Sequence, residues 1–271
     1  MDFESIRGTL TAKGYSEATA DAKIAHDVIL KAIRDSGFHD RLTIKGGVVM
    51  SGLTAVARRA TMDMDVDFLH YPLANDAIRR FVSGLNRVAD CRISIRGKIV
   101  PLNQQEYKGK RVFLSLTDER RHVIETKIDV GVHVREEVRQ GEFVFRLAMD
   151  GSTVTLLANS CEQIFVEKLK SLLKFGSAST RFKDVYDLCY LLSHVRKDVL
   201  ASYLGMYVFG DPKMRENTTA DVSRRLTRIF TDGDYMKALA NPTSAWLDVS
   251  AEDAASRLVR FFDDLMSSGE S

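Results

Sequence analysis

A seven-residue stretch from Met62 to Phe68 alternates apolar residues with aspartates, and it constrains the fold more than any other segment. A β-strand would place its apolar side chains on one face and Asp63, Asp65 and Asp67 on the other. Neighbouring carboxylates about 7 Å apart on one face repel each other, and aspartate is a poor strand former. A bound cation would relieve this repulsion. The alternative is an ordinary half-buried strand whose polar face meets water.

A glycine pair, Gly46 and Gly47, directly follows a short predicted strand from Leu42 to Ile44. Paired glycines after a strand let backbone N–H groups approach a phosphate without an intervening side chain. The segment lacks the G-x-x-x-x-G-K-[ST] pattern of a P-loop, and no G-x-G-x-x-G supports a dinucleotide-binding fold. We therefore expect a phosphate-binding turn just before the aspartate strand, followed by a short helix.

The spacing of Asp63 and Asp65 suits the binding of magnesium. Mg²⁺ takes hard oxygen ligands and keeps one or two protein carboxylates, while phosphate oxygens and waters complete its octahedron. We expect Mg²⁺ as the cofactor, with Asp63 and Asp65 as ligands. Arg59 and Thr61 immediately precede these acids, where a guanidinium and a hydroxyl can hold phosphate oxygens through hydrogen bonds.

Apolar periodicity along the rest of the chain predicts an α+β fold, with a mixed β-sheet in the first half and helices in the second. Helices are predicted over residues 16–37, 76–88, 160–175, 182–192, 220–230 and 251–266, and extended segments over 91–100, 111–116 and 123–134. The change of character near residue 155 predicts two domains. We expect a catalytic domain over residues 1–155 and a helical domain over residues 156–271.

Composition narrows the class of protein and its location. The 39 basic and 37 acidic residues leave a net charge of +2, so no overall basic field indicates a nucleic-acid partner. Three widely separated cysteines without C-x-x-C spacing disfavour a disulfide framework and a zinc site. The acidic amino terminus and the absence of a long apolar run predict a cytoplasmic protein that does not enter a membrane.

One segment departs from this even balance of charge. Residues 87–111 contain seven lysines or arginines and two acids, with Tyr107 among them. The local excess of positive charge predicts a surface that follows an RNA backbone. The alternative is ordinary solvated surface, because the segment has too few aromatic residues to argue base stacking.

Four ordered motifs resemble one family. Lys45-Gly46-Gly47 and Arg59-Ala60-Thr61-Met62-Asp63-Met64-Asp65 resemble the opening motif of the AbiEii-type nucleotidyltransferase toxins, which include the MenT toxins and belong to the DNA polymerase β-like superfamily. Glu167-Lys168-Leu169 is similar to the family's E-K-L helix, and Arg181-Phe182-Lys183-Asp184-Val185-Tyr186-Asp187-Leu188 to its R-x-K-D-x-x-D-L helix. The chain departs from the family at Thr61-Met62, where Ser-Glu is common, and in the additional acid Asp67.

The resemblance implies a nucleotidyltransferase-fold sheet domain followed by a helical domain. It implies transfer of a nucleoside monophosphate from a nucleoside triphosphate to the 3′ end of a tRNA, and a companion antitoxin protein as partner. The residues that we predict to bind nucleotide are Lys45, Gly46, Gly47, Arg59, Thr61 and Lys168.

Three more residues complete the predicted catalytic set with Asp63 and Asp65. The family places a third acid on a neighbouring strand, which makes Asp129 the candidate third metal ligand and a group that helps to deprotonate the attacking hydroxyl. Lys168 is assigned to the triphosphate, and Asp184 is predicted to orient Lys168 or a nucleotide group. The alternatives are a solvated strand face for Asp129, a lysine extended to water for Lys168 and a structural ion-pair network for Asp184.

Three other functions stay open. A small-molecule nucleotidyltransferase of the antibiotic-modifying kind, or one that modifies a protein, would share the glycine pair and the acids. The former needs an acidic pocket for a cationic acceptor, and the basic excess of residues 87–111 argues against it. A noncatalytic module that binds nucleotide or a partner protein is disfavoured because both Asp63 and Asp65 are retained.

Overall fold

The computed structural model describes residues 1–102, 109–135 and 137–269. The chain forms two compact units, Met1–Asn159 and Ser160–Ser271. All strands of the described residues belong to one eight-stranded mixed sheet in the first unit. The predicted α+β class is confirmed. Tyr107, from the predicted RNA-binding segment, lies outside the described residues, and the functional division at residue 155 stays a prediction.

The elements have the following bounds. The strands are β1 (Leu42–Ile44), β2 (Met64–Phe68), β3 (Arg92–Ile95), β4 (Val100–Leu102), β5 (Gly109–Thr117), β6 (Val123–Val132), β7 (Gly141–Arg146) and β8 (Thr153–Ala158). The α-helices are α1 (Phe3–Ala12), α2 (Glu17–Asp35), α3 (Gly46–Thr54), α4 (Asn75–Val88), α5 (Cys161–Phe175), α6 (Phe182–Leu191), α7 (Lys197–Leu204), α8 (Thr219–Phe230), α9 (Gly233–Leu239) and α10 (Ala251–Gly269).

The order of the strands decides which acids become neighbours. The sheet runs β3-β5-β6-β2-β1-β8-β7, with β4 paired to β5. β2 is antiparallel to β1 and parallel to β6, and Asp65 lies directly beside Asp129 in that parallel register. β5 is antiparallel to β6 and places Arg111 opposite Asp129. A single row across three strands therefore carries Arg111, Asp129 and Asp65.

Aromatic packing holds β2 in place. The Phe68 ring meets Phe81 of α4 edge-on with ring centres 5.4 Å apart, and meets Tyr71 at 5.0 Å. Phe38, which follows α2, contacts both of these partners in the same edge-on manner. Edge-to-face pairs of this kind stabilise a core beyond the apolar area that they bury. The carboxy-terminal end of β2 is therefore anchored, and the aspartates that precede it have a rigid base.

The main helices follow the predicted patterns closely. The side chain of Ser16 caps α2 by accepting the Thr19 amide at 3.3 Å. The apolar stripe that follows is buried, as expected for a helix that packs one face on a core. Within the described residues, no helix is both long enough and apolar enough to cross a membrane.

Several boundaries differ from the sequence prediction. β2 begins at Met64 rather than Met62, because its ladder with β6 starts at Met64 and Met62 is 50% exposed. The extended segment 91–100 is two strands, β3 and β4, and Gly97 between them adopts a positive φ of 69° that favours glycine. Five elements of the described residues were not predicted from the sequence. These are α1, β7, β8, α7 and α9.

Asp118 ties the turn between β5 and β6 to the start of α1, and Asp118→Asn is expected to destabilise the fold. Its carboxylate accepts the Phe3 amide at 3.0 Å and the His122 amide at 2.8 Å, and lies 2.9 Å from the His122 ring nitrogen Nδ1. Burial acts to raise the pKa of Asp118, but these hydrogen bonds outweigh it and lower the pKa to about 2. We expect a loss of about 1–3 kcal/mol at neutral pH, measured by urea denaturation.

The pH dependence gives this prediction a second readout. An unfolded aspartate titrates near pH 4, so the stabilisation is fully present above about pH 4 and is lost as pH falls through about 2. The variant should lack that part of the acid transition. Glu119→Gln is the control, since this neighbouring side chain is 80% exposed and should change stability by less than about 0.5 kcal/mol. Equal losses in both variants would contradict the assignment.

Candidate active site

The glycine pair forms the first turn of α3. Lys45 occupies the N-cap position, and its side chain makes no capping hydrogen bond. Gly46 has a positive φ of 50°. An exposed helix N-terminus binds anions because its N–H groups and dipole point outward. This turn has the chemistry of a phosphate site.

The aspartates lie next to that helix N-terminus. The Lys45 amide donates to the Asp65 carbonyl at 3.0 Å, which joins the start of α3 to β2. A β-carbon added at Gly46 would lie 3.5 Å from Asp65 Oδ2. The carboxylate of Asp65 is therefore in van der Waals reach of the first residue of α3. A phosphate on this turn and a cation on Asp65 would be neighbours.

The surroundings of Asp65 carry an excess of negative charge from neighbouring carboxylates. Burial raises its pKa to about 6, and the neighbouring charges of Asp129, Asp63 and Asp67 add to the shift, while Lys45 acts against it. Within the described part of the chain, no cationic side chain lies at ion-pairing distance from this carboxylate. A divalent cation at Asp65 would favour the ionised form and remove this conflict.

The other three acids of the site each have a cation of the chain beside them. Lys127 Nζ lies 2.9 Å from Asp63 Oδ1, and Lys45 Nζ lies 2.8 Å from Asp67 Oδ2. Arg111 holds Asp129 at two points. Among the described residues, these pairs join three of the four carboxylates to Lys127, Lys45 and Arg111, and Asp65 is the acid that these three cations leave unpaired.

Thr61 and Arg59 differ in how far they are available to a ligand. Thr61 packs against Gly47, where an added β-carbon would lie 2.6 Å from the threonine Oγ1. Gly47 therefore allows α3 to approach the residues that precede β2. Arg59 ends a 3₁₀ turn, Ala57–Arg59, and is buried. Its assignment to nucleotide binding stays a prediction.

Two predicted catalytic residues pair with each other in the carboxy-terminal unit. Lys168 of α5 forms an ion pair with Asp184 of α6, and its Nζ lies 2.8 Å from Asp187 Oδ2. Two carboxylates therefore hold the ammonium group, which does not extend to water. Asp187 is completely buried. The catalytic roles of Lys168 and Asp184 stay predictions.

A second group of residues has its possible ligand atoms close enough together to hold one metal ion. Among the described residues, Asp2, Asp118 and His122 alone bring three ligand atoms within 4.8 Å of one another. The carboxylates of Asp2 and Asp118 already make contacts within the protein. Asp2 caps α1 and pairs with Arg120, and Asp118 accepts the hydrogen bonds described above. We therefore interpret this group as a structural tie.

The donor chemistry of the aspartate site nevertheless fits Mg²⁺. Asp63 and Asp65 supply the one or two carboxylates that magnesium retains, and α3 supplies an adjacent phosphate site. Asp129 lies beside Asp65 in register, but Arg111 occupies both of its oxygens. The metal-binding roles of these three acids stay predictions.

Sequence reasoning missed three side chains that the structure brings to these clusters. Lys127 lies two residues before Asp129 and so shares its face of β6, a signal that the alternating pattern contained. Asp187 lies three residues after Asp184, one helical turn on. Arg111 had no local signal, because only the β5–β6 register places it opposite Asp129.

Comparisons with known proteins identify the family of this chain. The chain is similar to a solved structure described as an antigenic nucleotidyltransferase-like protein from Paracoccidioides brasiliensis, with 16% identity and a TM-score of 0.46 over 81% of this chain and 92% of the other. No curated protein sequence matches the chain. The family model for the nucleotidyl transferase AbiEii toxin of type IV toxin–antitoxin systems matches residues 28–254, well over half of the sequence. This chain therefore belongs to the AbiEii nucleotidyltransferase toxin family.

Proposed function

We propose that this protein transfers a nucleoside monophosphate from a nucleoside triphosphate to a hydroxyl group of an acceptor, with Mg²⁺ as cofactor. One observation carries the proposal. The N-terminus of α3, whose N-cap side chain makes no capping hydrogen bond, is adjacent to the carboxylate of Asp65, which has no ion-pair partner among the described residues, with 3.5 Å between the β-carbon position of Gly46 and Asp65 Oδ2. A phosphate bound to the helix would share a cation with this acid. Membership of the family supports the same reaction.

The bonds that form and break in this reaction define a role for each residue of the site. The acceptor oxygen bonds to the α-phosphorus while the bond from that phosphorus to the bridging oxygen breaks, and pyrophosphate leaves. Bound Mg²⁺ would supply positive charge to the phosphate oxygens as they gain negative charge. Asp63 and Asp65 hold this cation, the first turn of α3 holds phosphate oxygens through Gly46 and Gly47, and Asp129 takes the hydroxyl proton.

The proposed acceptor is the 3′ end of a tRNA, and the proposed partner protein is a cognate antitoxin. Exposed basic side chains on β3 and in the turn after it support an RNA acceptor, since such charges attract a phosphate backbone. They are Arg92, Arg96 and Lys98. Membership of a family of toxin–antitoxin systems supports the antitoxin.

The test is a labelling experiment. The purified protein is incubated with magnesium, total tRNA and each α-phosphate-labelled nucleoside triphosphate in turn, beside the Asp65→Asn variant. Label on tRNA with wild-type protein alone would establish the reaction and the donor. Label on the polypeptide would replace the tRNA by a protein acceptor. No transfer with any nucleotide would count against the proposal and favour a small-molecule acceptor or a noncatalytic module.

Gly47→Ala is expected to weaken nucleotide binding. The new β-carbon would lie 2.6 Å from Thr61 Oγ1 and 3.0 Å from Thr61 Cβ, so Thr61 and the first turn of α3 must separate. Overpacking of this kind costs about 1–3 kcal/mol. We expect the KM for the nucleoside triphosphate to rise roughly tenfold, which corresponds to about 1.4 kcal/mol.

Gly8→Ala in α1 is the matched control. Nothing lies within 4 Å of its β-carbon position, so the same change should leave the KM unchanged and stabilise the helix by about 0.5–1 kcal/mol. A Gly47→Ala variant that keeps the wild-type KM would show that this turn does not contact the nucleotide.

A further inference from the structure

Asp129, the proposed proton acceptor and third metal ligand, is already bound to a cation of the chain. Arg111 Nε donates to Asp129 Oδ1 and Arg111 Nη2 donates to Oδ2, each over 2.7 Å. A bidentate pair between guanidinium and carboxylate belongs to the strongest class of protein hydrogen bond. Both oxygens of the acid are engaged.

The register of the sheet makes this pair part of the active site. Arg111 lies opposite Asp129 across the β5–β6 ladder, and Asp129 lies beside Asp65 across the β6–β2 ladder. The hydrogen bond to Asp129 raises the pKa of Arg111, and the charges of Asp63 and Asp65 act in the same direction. The guanidinium therefore sits in the field of all three predicted metal ligands.

Asp129 is held more firmly than Asp63. The Asp63 carboxylate is 52% exposed and has a single lysine contact with Lys127, a geometry that contributes little in water. The Asp129 side chain is 10% exposed and makes two arginine contacts. Asp63 can therefore accept an incoming cation at small cost, whereas Asp129 first has to lose Arg111.

We propose that Arg111 is a positioning residue that competes with the metal ion for Asp129 and moves to a phosphate group when substrate binds. The paired N–H groups of its guanidinium can donate to two oxygens of a phosphate as well as to two oxygens of a carboxylate. Its side chain is 32% exposed, so a phosphate can approach it from solvent. Transfer of Arg111 to substrate releases Asp129 to face a cation beside Asp65. This inference rests on the proposed function and couples metal binding to a phosphate-bearing substrate.

The first test measures metal binding directly, without nucleotide or acceptor. Mn²⁺ is titrated into the protein and free Mn²⁺ is followed by electron paramagnetic resonance. Arg111→Met is expected to tighten Mn²⁺ binding about tenfold, a typical coupling between two sites. Arg111→Lys keeps the charge but loses the fork, so it should give an intermediate affinity and also serves as a second variant if the first does not fold.

Two controls separate competition for Asp129 from a general loss of positive charge. Lys110→Met removes the same charge from the adjacent residue of β5, whose Nζ lies 2.5 Å from Asn75 Oδ1, and should leave the affinity unchanged. In an Asp129→Asn background, Arg111→Met should produce no further gain. A gain that survives this background, an equal gain in Lys110→Met, or unchanged or weaker binding in Arg111→Met would overturn the inference.

A parallel transfer assay distinguishes failure of the inference from failure of the proposed function. Arg111→Met is expected to raise the KM for a phosphate-bearing substrate while lowering the Mn²⁺ concentration needed for half-maximal activity. Active wild-type protein without the gain in Mn²⁺ affinity would overturn the role of Arg111 and leave the function standing. Absence of transfer together with absence of Mn²⁺ binding in both proteins would overturn both.

Discussion

Asp65→Asn is expected to abolish nucleotidyl transfer, by at least about 10³-fold in kcat, because it removes the carboxylate proposed to hold the metal without changing the shape of the side chain. It should also make the protein more stable at neutral pH. Burial and the neighbouring acids raise the pKa of Asp65 to about 6, so keeping the residue ionised costs folding free energy. Replacing it with a neutral isostere should raise the free energy of unfolding by about 1–2 kcal/mol.

The sign of this stability gain can be checked by pH. A carboxyl group whose pKa is higher in the folded than in the unfolded state binds its proton more tightly when folded. Its cost is therefore absent below about pH 4 and complete above about pH 6. The gain from Asp65→Asn should be present in urea denaturation at about pH 7 and vanish near pH 4.

Asp40→Asn is the control for Asp65→Asn, since Asp40 is exposed in the turn before β1. It should change neither activity nor stability measurably. Retention of transfer by Asp65→Asn would remove this acid from the reaction. A loss of stability in the variant would show instead that the ionised carboxylate supports the fold.

Lys168→Met is expected to cause the largest loss of stability among the changes considered. The substitution keeps much of the side-chain volume but removes the ammonium group that Asp184 and Asp187 share. Asp187 is completely buried, and removing one partner of a buried ion pair costs about 3–5 kcal/mol. The loss is measured by urea denaturation of the protein at neutral pH.

Lys237→Met tests the same change on the surface. Lys237 is 83% exposed and lies 3.7 Å from an exposed Asp234, so its loss should fall within about 0.5 kcal/mol. Similar small effects in both variants would show that the Lys168 pair contributes little net stability. The double variant Lys168→Met/Asp187→Asn should recover part of the loss, because it removes the buried charge together with its partner.

The site was predictable wherever its residues lie close together in sequence. Gly46 and Gly47 follow β1 directly, and the start of β2 carries its acids at a spacing that local periodicity reveals. The two-residue shift in the start of β2 shows the limit of this reasoning. Whether Asp63 belongs to the strand depends on where the ladder with β6 begins, at Met64 and Ile128, which the alternation of residues 62–68 does not contain.

The sequence by itself determined the α+β class and the family, and it predicted the residues proposed to carry the chemistry, because side-chain periodicity and motif spacing are local properties of the chain. Only the tertiary structure decided how those charges are paired. Strand order places Asp129 beside Asp65, and register places Arg111 on Asp129. Pairing between strands joins residues distant along the chain, and a shift of one residue would turn each side chain to the opposite face of the sheet. That Asp65 is the acid of this site without a cationic partner, among the residues that the structure describes, was therefore visible only after folding.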